Sequence, residues 1–293
     1  MLNGSIFTII TGIIWTLLAI VYSSIAAKNK TISGIMFVYS LVFAAAIWIF
    51  QFPQNAPATE IGKVALCVIP SALLGQLGFF ALYLAMKKGS HAVAWTFTQS
   101  AMVIPFLACW FLFDNKVKWF NVTGLFLIMI ALCGQGMSKK SESTAEKKNS
   151  AAVLFFSILA LITVGIGQFA SLIPGELNMN EAALSWRLPL MTVVGIIIWG
   201  GAVVITRAKL NWQGIKKGGN YGIAAAAGQV TLYIAIDQLT PVNMVAIVYP
   251  AALSICIILF AIYCAIFRKE KISLLAGISL FLLLAGVTLL FWQ

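Results

Sequence analysis

The chain has 293 residues, of which 61% are hydrophobic and only 9% are charged, and its formal net charge is +11. This composition is too apolar for a water-soluble fold with one packed core. The cations do not indicate nucleic acid either, because they lie in short loops between apolar runs. The sequence therefore predicts an all-α membrane protein, since a bilayer leaves every spanning segment to satisfy its own backbone hydrogen bonds.

Apolar runs of about 20 residues, long enough to cross a hydrocarbon layer of roughly 30 Å as helices, recur along the chain. In chain order the ten predicted spans are 5–27, 31–50, 61–86, 92–113, 119–137, 151–173, 182–206, 221–239, 241–267 and 272–292. Between the fifth and the sixth lies a Lys/Ser/Glu segment without an apolar face, which is typical of a solvated linker. We expect a first five-helix repeat over residues 1–137, a cytoplasmic linker over 138–150 and a second five-helix repeat over 151–293.

The Lys and Arg residues predict the orientation of the spans. Fifteen fall in loops on one side: Lys28, Lys30, Lys87, Lys88, Lys139, Lys140, Lys147, Lys148, Arg207, Lys209, Lys216, Lys217, Arg268, Lys269 and Lys271. Only four fall on the other side: Lys63, Lys116, Lys118 and Arg187. Because cytoplasmic loops retain positive charge, the linker is predicted in the cytoplasm and both termini outside.

The two halves of the sequence are weakly similar. A shift of 153 residues places Gly75-Gln76 on Gly228-Gln229, and Trp15 on Gln168. Each half holds an odd number of spans, so the second copy must enter the membrane from the opposite face. The sequence therefore predicts two inverted repeats.

Polar side chains inside the spans give the candidate site. The third and eighth spans are the least hydrophobic and the most interrupted by glycine, which is the strongest sequence indication of a transport site. Helical spacing places Gln76 and Tyr83 on one face of the third span, and Gln229 and Tyr233 on one face of the eighth. Buried amides can also serve as hydrogen bonds between helices, and that interpretation stays open. With the first, fourth and sixth spans included, the candidate substrate-binding residues are Trp15, Gln76, Tyr83, Trp95, Gln99, Gln168, Gln229 and Tyr233.

Ionisable residues are absent from the predicted span centres. Asp237 is the deepest and lies near the outer interface, as a helix-end charge, a partner for Arg187 or a coupling or gating group. Arg187 is interpreted either as an exposed loop pair with Glu181 or as a gating residue, and His91 as a loop residue. A site without midplane charge favours a neutral, hydroxyl-rich or zwitterionic solute. No motif for ATP hydrolysis, metal binding or enzymatic catalysis occurs, so we expect no enzyme activity, no cofactor and no metal.

Ten spans in two inverted halves resemble the drug/metabolite transporter superfamily. Within it, the chain is similar to the bacterial sugar-uptake branch, which includes glucose/ribose uptake proteins and rhamnose transporters, over the run Gly75-Gln76, Phe80, Gly89-Ser90, Gln99 and Phe113. Where those proteins tend to have Pro-Ile-Ser-Thr-Gly, this chain has Trp95-Thr96-Phe97-Thr98. The resemblance implies a cavity lined by the first, third, fourth, sixth, eighth and ninth spans.

The resulting hypothesis is a multi-pass secondary transporter of the bacterial inner membrane that moves a sugar or polyol by alternating access. Its expected partners are the small-molecule substrate, the lipid bilayer and a coupling ion, H⁺ or Na⁺, with no nucleic acid, and its expected state is a monomer or homodimer. Two alternatives stay open. One is a metabolite or amino-acid exporter of the same superfamily, and the other is a membrane scaffold without cargo.

Overall fold

The computed structural model describes residues 2–26, 32–50, 52–88, 94–95, 98–113, 115–138, 150–267 and 274–292. His91 and most of the predicted linker lie outside these residues. The described part is about 90% helical and contains no strand. Its helices are α1 (Leu2–Ala26), α2 (Ile32–Phe50), α3 (Ala58–Lys88), α4 (Val103–Leu112), α5 (Trp119–Ser138), α6 (Ser150–Glu176), α7 (Glu181–Leu184), α8 (Arg187–Thr206), α9 (Trp212–Leu239), α10 (Val248–Phe267) and α11 (Leu274–Phe291).

Six of these helical segments are long and apolar enough to cross a membrane: Leu2–Tyr22, Ile32–Phe50, Ala58–Lys88, Ala151–Glu176, Glu181–Thr206 and Val245–Tyr263. Three shorter apolar helices accompany them: Ser100–Leu112, Trp119–Gly134 and Gly277–Phe291. The prediction of an all-helical protein is confirmed for the described residues, and six of its helical segments have the length and composition of membrane-spanning helices.

The start of α9 differs from the predicted span. Hydropathy placed that start at residue 221, but the helix begins at Trp212, within a polar stretch. The cause is local: the Asn211 side chain accepts a hydrogen bond from the backbone N–H of Gly214 at 2.7 Å and so caps the first turn. A capping residue can fix a helix start independently of the membrane boundary.

Two other predicted spans are interrupted. The segment 182–206 is divided into the short α7, capped by Asn180, and the long α8. The segment 241–267 begins with 3₁₀ turns, Thr240–Val242 and Val245–Ile247, before α10 starts at Val248. Between these two turns Asn243 has φ 55°, a left-handed conformation that ends regular helical bonding.

Contacts between loops and helix ends define two ends of the bundle. At the first, Gly4 packs against Leu239, and the Asn121 side chain donates a hydrogen bond to the carbonyl of Leu290 at 2.9 Å. We call this the terminus end, because the start of α1 and the end of α11 lie there.

The opposite end joins the end of α1 to the start of α9. Lys217 donates to the carbonyl of Ser24 at 3.1 Å, and the hydroxyls of Ser33 and Thr206 lie 2.9 Å apart. We call it the basic end, because Arg207, Lys209, Lys216 and Lys217 lie in the α8–α9 connection and the first turns of α9.

Glycines allow the closest helix crossings. A Cβ on Gly124 would lie 2.6 Å from the carbonyl of Gly286, and one on Gly286 would lie 2.7 Å from the carbonyl of Gly124. Helices α5 and α11 therefore pack backbone to backbone, as small residues allow in membranes.

The packing of α9 against α2 gives a first testable prediction. A Cβ on Gly222 would lie 2.8 Å from Val42 Cβ and 2.9 Å from the carbonyl of Tyr39, whereas a Cβ on Gly219 meets nothing within 4 Å. We expect Gly222→Ala to lower stability by about 1–3 kcal/mol, because the two backbones must separate. Gly219→Ala is the matched control and should leave stability unchanged or higher, because Ala is the better helix former. Thermal unfolding of the purified protein measures both, and equal melting temperatures would contradict the packing argument.

Candidate functional site

A cavity of about 160 Å³ lies between the helices. Helices α1, α2, α3, α6, α8, α9 and α10 line it, together with residues that precede α4 in the chain. Trp15, Gln76, Gln168 and Gln229 reach it from the interiors of α1, α3, α6 and α9. The cavity therefore lies well inside the bundle, between the terminus end and the basic end.

Most of the predicted site residues meet in this cavity. Seven of the eight line it: Trp15, Gln76, Trp95, Gln99, Gln168, Gln229 and Tyr233. Tyr83 is buried but is not among the lining residues; it follows Leu82, the last residue of α3 that lines the cavity. Helices α2 and α8 also contribute, through Tyr39 and Met191, although the resemblance did not imply them.

Tyrosines form much of the cavity wall. Five of the seven in the chain line it: Tyr22, Tyr39, Tyr221, Tyr233 and Tyr249. Sequence reasoning did not select Tyr39, Tyr221 or Tyr249 as site residues. For Tyr39 the sequence did contain a signal. Tyrosine in membrane proteins usually lies at the interface with water, whereas Tyr39 lies inside an apolar span. Tyr221 was not selected because hydropathy placed the start of the eighth span at this residue, whereas α9 begins at Trp212 and Tyr221 lies inside the helix.

The wall nearest the basic end is a cluster of three tyrosines. The rings of Tyr22 and Tyr221 lie 6.0 Å apart, and those of Tyr39 and Tyr221 lie 4.8 Å apart. The Tyr22 hydroxyl donates to the carbonyl of Phe79 at 2.6 Å. These contacts join α1, α2, α3 and α9 around one side of the cavity.

The wall nearest the terminus end is built from Tyr249 and Tyr233. Tyr249 stacks on Trp15 with the ring centroids 6.2 Å apart, and its hydroxyl lies 2.8 Å from that of Ser171. The Tyr233 hydroxyl lies 3.4 Å from the sulfur of Met191. This wall joins α1, α6, α8, α9 and α10.

Arg187 lies behind Tyr233 and is not part of an exposed loop pair with Glu181. Its guanidinium carbon is 4.3 Å from the centre of the Tyr233 ring, and its nitrogen donates to both carboxylate oxygens of Asp237, at 2.6 and 2.8 Å. The Arg187 side chain is only 5% exposed, whereas that of Asp237 is 45% exposed. Asp237 is therefore the partner of Arg187, and this interpretation replaces the exposed loop pair.

Several polar groups of the cavity wall already have protein partners. Gln76 Oε1 accepts a hydrogen bond from Trp199 Nε1 at 2.6 Å. Ser71 donates to the carbonyl of Gly167 at 2.7 Å. Such groups hold helices together and have less capacity left for a ligand.

Two buried polar atoms of the wall have no hydrogen-bond partner among the described residues: Trp95 Nε1, a donor, and Gln168 Oε1, an acceptor. Buried polar groups are nearly always hydrogen-bonded, so such atoms need an explanation. Both belong to residues that line the cavity, where a small molecule can supply the missing partners. None of the described residues that line the cavity carries a formal charge at neutral pH. Within the described part of the chain, no group of three or more His, Cys, Asp or Glu residues is arranged to hold a metal ion.

Comparison with known proteins bears on the fold only. No family model and no curated protein matches the chain. Twenty-eight chains of solved structures do match. One, described only as "Crystal structure of protein", has a TM-score of 0.68 at 10% identity and covers 98% of this chain and 97% of its own. The whole chain thus shares the fold of a solved protein, and at this identity the likeness carries no information on function.

Proposed function

We propose that the chain is a secondary transporter that moves a small neutral polar solute across a membrane by alternating access. The observation that carries the proposal is the cavity inside the bundle. Its described lining is uncharged and includes a buried donor and a buried acceptor that have no hydrogen-bond partner in the described part of the chain. A scaffold without cargo has no use for such a space, because unpaired buried polar atoms lower stability.

The helix packing supports a topology of ten spans in two inverted five-helix repeats. Exchanging the halves converts three of the main pairings into other observed pairings: α1 with α9 becomes α6 with α3, α1 with α10 becomes α6 with α4, and α2 with α9 becomes α8 with α3. The pairs α5 with α11 and α2 with α8 convert into themselves. This is the pattern expected for two similar units related by a two-fold axis in the membrane plane.

Individual contacts support the same repeat. The hydroxyls of Thr11 in α1 and Thr231 in α9 lie 2.9 Å apart. The shift of 153 residues carries this pair to Val164 in α6 and Gly78 in α3, and a Cβ on Gly78 would touch the Val164 side chain. The register derived from sequence therefore relates two helix crossings in the structure.

The charge distribution supports an orientation in which the basic end faces the cytoplasm. The cations at that end are the positive charges expected of cytoplasmic loops. The terminus end, with both chain termini, would then face outward, and by resemblance the membrane would be the bacterial inner membrane. Arg187 and Asp237 would lie toward the outer side of the cavity, where their proposed role is gating.

The proposed solute is neutral because an isolated charge in this cavity would have no countercharge. The charge of Arg187 is already paired with Asp237, behind the Tyr233 ring. Aromatic faces such as Trp15 suit the apolar face of a ring, and amides such as Gln229 suit hydroxyl groups. A sugar or polyol fits this description, with H⁺ or Na⁺ as coupling ion, no cofactor and no enzymatic step. A metabolite or amino-acid exporter of the same architecture is the second candidate.

Uptake into proteoliposomes tests the proposal. Labelled monosaccharides and polyols are compared between the wild type, Trp95→Phe, which removes the unpaired donor, and Gln168→Met, which removes the unpaired acceptor. Each variant should lose about tenfold in uptake efficiency, the equivalent of ~1.4 kcal/mol of lost solute binding. Gly277→Ala is the control, because a Cβ there meets nothing within 4 Å.

Efflux from preloaded vesicles separates import from export. Wild-type rates from both cavity variants would remove these atoms from the site. The absence of flux in either direction for every solute in the panel would favour the scaffold.

A further inference from the structure

The repeat-related glutamines Gln76 and Gln229 differ in their surroundings. They occupy equivalent positions in α3 and α9, and both line the cavity. Gln76 accepts a hydrogen bond from Trp199 of α8, so this amide joins α3 to α8. No hydrogen bond ties the side chain of Gln229 to another residue in the described part of the chain.

The sequence explains this asymmetry. Under the shift of 153 residues, the position equivalent to Trp199 is Ala46, which has no side-chain donor. Gln229 therefore lacks the equivalent of the partner that holds Gln76.

From this difference we infer that the two glutamines have separate roles. Gln76 is a positioning residue that, through its hydrogen bond with Trp199, holds α3 against α8 beside the cavity. Gln229, together with the unpaired atoms of Gln168 and Trp95, makes the direct polar contacts with the solute. The assignment of a solute rests on the proposed function, but the separation of the two roles can be tested without any solute.

The physical consequence is an opposite effect on stability. Gln76→Met keeps the size of the side chain but leaves the indole N–H of Trp199 unpaired, and Trp199 is only 3% exposed. Burying an unpaired donor is costly, so this variant should melt several degrees lower. Gln229→Met instead removes an amide that has no hydrogen-bond partner among the described residues, and it does so in a largely apolar wall, so its melting temperature should stay the same or rise.

The experiment uses the full chain, purified in detergent micelles without solute, and follows helix loss by circular dichroism on heating. The variants are Gln76→Met, Gln229→Met, Trp199→Phe and the double variant Gln76→Met/Trp199→Phe. Trp199 is not among the cavity-lining residues, so Trp199→Phe removes the hydrogen bond without changing the wall. We expect the melting temperature to fall in Gln76→Met and not to fall in Gln229→Met. The double variant should lose less stability than the sum of the losses in Gln76→Met and Trp199→Phe, because these two changes remove the same hydrogen bond.

A loss of stability in Gln229→Met equal to that in Gln76→Met would overturn the inference, as would strict additivity of the Gln76 and Trp199 changes. Should Gln76→Met not fold, Trp199→Phe removes the same hydrogen bond and decides the same question.

A second measurement follows the uptake of labelled D-glucose by the same variants in proteoliposomes. Gln229→Met should raise KM at least tenfold with Vmax nearly unchanged, whereas Gln76→Met and Trp199→Phe should lower Vmax by similar factors, with no further loss in the double variant. An unchanged KM in Gln229→Met would overturn its assignment. If the wild type does not take up D-glucose, the proposed function fails for that solute, and the melting series still decides the separation of roles.

Discussion

Asp237→Asn is expected to destabilise the protein by about 3 kcal/mol, because it leaves the buried guanidinium of Arg187 without its countercharge. The Arg187 side chain is only 5% exposed, so its guanidinium cannot regain full hydration. The exposure of Asp237, at 45%, lets water reach one side of the pair and keeps the effect at the lower end of the range for buried pairs. Thermal unfolding of the purified protein measures the change.

Two controls isolate the buried charge as the cause. Arg187→Met combined with Asp237→Asn removes the guanidinium together with the carboxylate and should recover most of the lost stability. Lys63→Gln breaks the ion pair with Glu60, which joins side chains that are 59% and 27% exposed, and should cost less than about 1 kcal/mol. If the double variant is as unstable as Asp237→Asn alone, the buried charge is not the source of the effect.

The helices of this protein could be predicted largely from hydropathy, because the length and polarity of each run decide where a helix is stable in lipid. The exceptions depended on individual residues. The Asn211 cap extended α9 into a polar stretch, and the left-handed Asn243 delayed the start of α10. A hydropathy average over a window of residues shows neither effect.

The candidate site was only partly predictable, because helical periodicity shows on which face of a helix a side chain lies but not which residue of another helix it contacts. The spacing placed Gln76 and Gln229 on equivalent faces, and both do line the cavity. Their different partners depend on Trp199, which is 123 residues from Gln76 along the chain and approaches only through the packing of α8 against α3. The pair of Arg187 with Asp237 was one of several open interpretations for the same reason, since Asp237 lies 50 residues further along the chain and periodicity could not select it. Periodicity also could not show that the lining of the cavity by α3 ends at Leu82, just before Tyr83.

A disulfide across the terminus end is expected to abolish transport completely. Alternating access requires the two halves to separate at each end in turn. At the terminus end the backbone N–H of Gln54, in the first half, donates to the Ser185 hydroxyl at 2.8 Å, and Trp186 Nε1 donates to the carbonyl of Gln54 at 2.9 Å. Cysteines at 54 and 185 would therefore lie close enough for a disulfide bond to join the halves.

The measurement compares uptake by Gln54→Cys/Ser185→Cys proteoliposomes before oxidation, after oxidation and after reduction, in a background with the natural cysteines Cys67, Cys109, Cys133, Cys256 and Cys264 replaced by alanine. Oxidation should stop uptake and reduction should restore it, while each single-cysteine variant should be insensitive to both. The physical reason is that the bond holds the terminus end closed, so a solute can enter the cavity only from the basic end. Undiminished uptake by protein that is fully cross-linked would contradict a mechanism in which the halves separate at the terminus end.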